Sequence, residues 1–202
     1  EKRDAPILDL SNFVYLQDIT SAANNFIKYG NLQATSDILK DIERGVTFDK
    51  QAHKLKFYDL SFALLDFSGE MDTCRGSIIQ SGATVKKIRS RINSFLDLPI
   101  PDPIKDILKA VMQKMNAFSS EPTLDNVVEA IWWCSQNGMM QQAYTLAEEY
   151  IITVATDLLK TYLDPIIVEE DEKKKQKKIR EFSSSILGMN DLQVKDLNSW
   201  TG

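Results

Sequence analysis

The sequence predicts an all-α protein, and three observations carry that expectation. Apolar residues recur at spacings of three and four in nearly every segment, no alternating run long enough for a strand occurs, and eight glycines and six prolines are too few for a turn-dense β protein of 202 residues. With 43% hydrophobic and 26% charged residues the composition is globular, with ample apolar material for a core.

The first helix is expected from Asp9 to Gly30, where Phe13, Leu16, Ile19, Ala22, Ala23, Phe26 and Ile27 form one face and glycine closes it. A shorter helix over 32–43, with Leu32, Ile38, Leu39 and Ile42 inward, follows as the second arm of a helical hairpin. Lys50 to Asp66 repeats the pattern through Leu60, Phe62, Leu64 and Leu65. A long segment from Glu70 to about Phe95 comes next, with Gly76 and Gly82 marking a kink or break.

The run DLPIPDP, residues 97–103, cannot continue a helix and is read as a subdomain boundary or a rigid turn. Ile104, Ile107, Leu108, Val111, Met112 and Met115 mark the following helix, and Thr123 to Asn137 the next. Asn137-Gly138 stops that helix, and a long one restarts and runs to about Tyr162, ended by Asp164-Pro165. The stretch IWWCSQNGMMQQAYTLAEEYII, residues 131–152, therefore reads as two helices meeting at Asn137-Gly138 with their aromatic and methionine side chains buried between them. An acidic and then basic run, EEDEKKKQKKIR, leads into a Ser-rich tail. The division expected is a helical front part over 1–98 and a helical bundle over 99–202.

Charge and residue counts exclude several classes of chemistry. The net charge of −5 offers no global attraction to nucleic acid or an anionic membrane, so any such contact needs a local basic patch. No apolar run reaches the roughly 18–20 residues of a membrane span and no signal peptide opens the chain, which makes a cytoplasmic location the expectation. Cys74 and Cys134 are sixty residues apart, outside any metal-binding spacing, and read as reduced thiols. Because the chain opens on Glu1 rather than methionine, it is expected to be a piece of something larger.

His53 is the only histidine, which rules out a multi-histidine metal site; it lies among Lys50, Gln51, Lys54 and Lys56, as a solvated helix residue would. No phosphate-binding loop, dinucleotide fingerprint or nucleophile elbow is present. Glu129, Glu148 and Glu149 raise the thought of a carboxylate-bridged metal pair, but the histidines such a centre uses are missing, and no metal or cofactor is expected. Two basic clusters stand out: Lys86, Lys87, Arg89 and Arg91, and the denser Lys173, Lys174, Lys175, Lys177, Lys178 and Arg180. Each could hold RNA phosphates or be a solvated charged face, and the second, preceded by Glu169 to Glu172, could form ion pairs on a solvated helix.

Two segments carry a resemblance to a known family. PILDLSNFVYLQDITSAANNFIKYGNLQATSDIL runs from an aspartate-leucine turn through an amphipathic helix to Phe26-x-x-Tyr29-Gly30-Asn31. LDNVVEAIWWCSQNGMMQQAYTLAEEYI contains Ala130-Ile131, Trp133-Cys134, Gly138, Gln141-Gln142-Ala143, Thr145-Leu146 and Glu148. With the weaker pattern of the intervening helices and the Pro-rich joint, they resemble the helical C-terminal half of CRISPR-associated CARF-HEPN proteins, auxiliary ribonucleases of type III systems, over most of residues 5–165.

That resemblance implies an antiviral, cyclic-oligoadenylate-activated single-strand ribonuclease whose HEPN parts dimerise and cleave without metal through an Arg-x(4–6)-His motif. This chain departs from the pattern: Arg44 precedes His53 by nine positions, no histidine follows the Gln-Gln-Ala stretch, and no CARF domain is visible. The leading expectation is a helical linker plus an incomplete HEPN-like bundle, with no catalytic residue of its own, inactive alone, homodimeric, in contact with single-stranded RNA through Lys173–Arg180, and reached by cyclic oligoadenylate only through an absent domain. Gln141, Gln142 and Glu148 then either approach the cleft as polar groups orienting the missing arginine or cap the helix that restarts after Gly138. A second expectation is a non-enzymatic helical scaffold that dimerises or docks a protein through the Trp132–Met140 surface.

Overall fold

The computed structural model describes residues 17, 20–21, 24–26, 28–30, 32, 36–37, 54–97, 102–169 and 171–188, the side chains of 54–58 and 103 excepted. The architecture is all-α, with no strand among the described residues. Seven helices are traced in full: α1 Lys54–Asp72, α2 Gly76–Ser81, α3 Ala83–Leu96, α4 Asp102–Lys114, α5 Asp125–Gln136, α6 Met140–Leu163 and α7 Glu172–Leu187. The described residues from Thr20 to Tyr29, and Ser36 and Asp37, are also helical. The remainder of the 9–30 and 32–43 helices, most of the Pro-rich joint, His53 and the end of the Ser-rich tail lie outside the described residues.

One boundary differs from the periodicity reading, and packing explains it. The first helix traced in full does not stop at Asp66: Leu60, Leu64, Phe67 and Met71 continue one apolar row and are all buried, so burial outweighs the modest cost of Gly69 within the helix. The segment from Glu70 onward is broken where glycines occur. Gly82 takes a left-handed φ of 68° between α2 and α3, and a Cβ there would lie 2.6 Å from the Ser119 carbonyl oxygen, so only glycine allows the two chain segments to pass.

The chain forms two compact units, up to Ala143 and from Tyr144, so the division falls inside α6. In the first, α1 packs along α3, α3 along α4, and the short α2 against α5. The core joins Phe67 and Met71 of α1, Ile88, Ile92 and Phe95 of α3, Leu108 and Val111 of α4, and Ala130 and Trp133 of α5. Trp133 is its aromatic hub, with ring centroids 5.3 Å from Phe67, 6.0 Å from Phe118 and 6.0 Å from Phe26, edge-on or tilted as the ring quadrupoles favour.

Polar side chains organise the loops between these helices. Asn126 is fully buried; its Oδ1 accepts from the Ser119 N–H at 2.6 Å and its amide donates to Ser119, Glu121 and Gln80 carbonyls. Burial of an amide is tolerable because its hydrogen bonds are met inside the protein. The Thr123 N–H donates to the Gln80 carbonyl at 3.0 Å, tying the entry of α5 to the end of α2.

The second unit is a helical hairpin made of α6 from Tyr144 onward and α7. Asp171 caps α7, accepting from the Lys173 and Lys174 backbone N–H groups at 2.9 and 3.4 Å. Ile179 is fully buried, and polar ties run down the hairpin: Lys175 to Asp164 at 3.2 Å near the turn, Arg180 to Glu149 and Thr153 further along.

Candidate interaction surface

Within the basic cluster of α3, Arg89 is built into the fold and the other three cations are paired with carboxylates nearer the surface. The Arg89 guanidinium donates to the carbonyls of Met115, Asn116 and Phe118 and to Ser120 Oγ, clasping the loop that leaves α4. Lys86 pairs with Glu121 at 2.9 Å, Lys87 with Asp66 at 3.7 Å and Arg91 with Asp59 at 2.8 Å. A guanidinium fork suits a set of converging carbonyls, which a lysine could meet only as a point charge.

The second basic run is similarly engaged. Lys175, Lys178 and Arg180 reach Asp164, Glu169 and Glu149 on other segments, and Lys177 pairs with Glu181 one turn on. Lys178 holds the Glu169 carboxyl below its usual range by a hydrogen bond and its charge. Lys173 and Lys174 are exposed and carry no ion pair among the described residues.

The polar residues of the Gln-Gln-Ala stretch do not converge. Gln141 and Glu148 are exposed and Gln142 is half-buried, its carbonyl accepting from the Cys74 thiol at 3.8 Å. Glu129 is half-buried, Glu149 is taken by Arg180, and no group of three histidine, cysteine or acidic side chains among the described residues could hold a metal ion.

The sharpest correction concerns the 131–152 seam. Its two helices and the joint at Asn137-Gly138 are as expected, with Gly138 at φ 78°, but its apolar side chains are divided rather than buried together. Trp133 and Cys134 are in the core, and burial pushes the Cys134 thiol up to about 12. Trp132, Met140, Tyr144 and Ile151 are between 47% and 71% exposed.

These exposures continue along α6. Met140, Tyr144, Ile151, Leu158 and Tyr162 are all exposed, and at about 100° per residue they fall within a sector of about 40°. Ala147 and Val154, half-buried, fill the intervening positions of a seven-residue repeat. Glu149, which takes Arg180 of α7, lies on roughly the opposite side of the helix, so α7 leaves this stripe uncovered. Sequence periodicity located the apolar positions; it could not tell that two apolar faces share one helix and that only one is used.

No protein-family model, curated protein or solved structure matches the chain. Among the described residues, no helix is long and apolar enough to cross a membrane.

Proposed function

We propose that this chain is a non-catalytic helical protein-interaction module whose docking face is the apolar stripe of α6. The observation that carries this reading is the run of five large apolar side chains exposed in phase along a 24-residue helix. Isolated exposed apolar residues are ordinary, whereas a contiguous stripe of them marks a surface meant to be covered. Arg89 is spent on holding a loop, and most of the other clustered cations are paired with carboxylates, which supports an interaction role over a reactive one. A photo-crosslinking residue, benzoylphenylalanine, placed at Ile151 in cells tests it: adducts to a polypeptide are expected there and not at Asp157 on the flank. Absence of any adduct at Ile151 would overturn the interaction reading.

A second reading is the helical region of a CARF-HEPN-type CRISPR-associated protein, favoured by the pattern from Ala130 to Glu148, which spans the α5–α6 joint as one continuous feature. On this reading the chain alone is silent toward RNA, and RNA contact centres on Lys173 and Lys174. Metal-independent cleavage of single-stranded RNA by the purified chain, lost in His53→Ala, would sink that silence. RNA affinity that is flat with salt would remove the lysine contact.

A further inference from the structure

We infer that the occupant of the α6 stripe is the same stripe of a second copy, packed antiparallel and crossing at Ile151; this rests on the interaction reading above. The spacing of the exposed residues is palindromic. From Met140 the steps to Tyr144, Ile151, Leu158 and Tyr162 are four, seven, seven and four residues, so the pattern reads identically in both directions about Ile151. A two-fold axis through Ile151 sets Tyr144 against the partner's Leu158 and Met140 against the partner's Tyr162. A two-fold interface requires this kind of self-complementarity, because residue i meeting j obliges j to meet i.

Charge and area agree with that occupant. In the antiparallel pairing Glu148 falls opposite the uncharged Val154 and Ala155, and Asp157 falls opposite Thr145, so no like charges meet across the seam. Antiparallel packing also opposes the two helix macrodipoles, which parallel packing would align unfavourably. The exposed fractions, from 47% for Met140 to 71% for each tyrosine, correspond to roughly 600 Å² of apolar side chain per copy. Complete burial of these side chains on two copies would remove about 1,200 Å², the lower edge of what a specific interface needs. Arg180 meets α6 at Glu149, on roughly the opposite side of the helix from the stripe.

The full chain is tested by sedimentation and by cysteine crosslinking in a Cys74→Ser background, Cys134 being buried. Wild type should be a dimer, and Leu158→Glu, at a 69%-exposed position whose change leaves the helix content intact, should weaken it at least about 10-fold. Ile151→Cys should crosslink to itself on oxidation. Tyr144→Cys should not, but should crosslink when mixed with Leu158→Cys. A monomeric wild type, a dimer indifferent to Leu158→Glu, or self-crosslinking of Tyr144→Cys would each overturn the proposal. Benzoylphenylalanine at Ile151 separates the two levels: adducts only to a different protein overturn the second copy and leave the interaction module standing, whereas no adduct overturns both.

Discussion

The Lys114 ammonium lies 2.9 Å from Asn137 Oδ1, joining the last turn of α4 to the C-cap of α5. The same Nζ donates to the Phe26 carbonyl at 2.8 Å and sits 5.2 and 5.0 Å from the Phe26 and Trp133 ring centroids. One cation thereby links three helical segments, satisfying a carbonyl at a helix C-terminus where positive charge is favoured. Burial lowers its pKa from the ordinary lysine value. Lys114→Met should cost about 1–3 kcal/mol in denaturant unfolding, because Asn137 Oδ1 loses its donor while the apolar stem is kept.

Gly30 should be equally intolerant. It holds φ at 65°, and a Cβ there would lie 2.7 Å from the Asn137 side chain. Gly30→Ala should destabilise by about 1–3 kcal/mol. Because it displaces the same asparagine, its cost should add less than fully to that of Lys114→Met in a double-mutant cycle.

Arg89 and Arg91 are two residues apart on α3 but should behave differently. Arg89→Ala frees the carbonyls of Met115 and Phe118 at once and should cost about 2–3 kcal/mol. Arg91 makes one half-exposed ion pair to Asp59, and Arg91→Ala should cost under about 1 kcal/mol. Thermal or urea unfolding of the pair checks the contrast; equal losses would contradict the clasp.

Glu70 governs a pH dependence whose sign follows from its surroundings. Burial raises its pKa, with Asp66 adding to the rise, while Thr84 and Arg75 act the other way. A raised folded value means the protonated carboxyl suits the fold. Its stabilising contribution is complete below the ordinary glutamate value and is lost as pH rises through the folded value. Glu70→Gln should therefore gain stability relative to wild type near neutral pH and lose that advantage in acid, read from unfolding midpoints between pH ~4 and ~8.

The Cys134 thiol should resist alkylation. Burial, aided by the nearby Cys74 and Asp72, keeps it protonated, and only the thiolate reacts. At neutral pH iodoacetamide should label Cys134 only after unfolding, measured by peptide mass; labelling at the rate of an exposed thiol in the native chain would contradict this burial.

Much of the helical framework was legible in the sequence because three-and-four spacing is a property of one segment. The Asn137-Gly138 joint, the break at Gly82 and the Asp164 stop are written in residues with strong local preferences, and the helices follow from them. The extension of α1 through Phe67 to Met71 was not, since it depends on those side chains finding α3 and Phe118.

The candidate surface divides in the same way. Sequence alone determined that residues 131–152 are helical, apolar and interrupted once, and that the acidic and basic runs could pair. Only the tertiary structure decided that Trp133 is a core hub while Trp132, Tyr144 and Ile151 face out, that Arg89 closes a loop, and that Arg180 takes Glu149. The physical reason is that periodicity states which side chains share a face, whereas burial and ion pairing depend on which other element arrives to cover it.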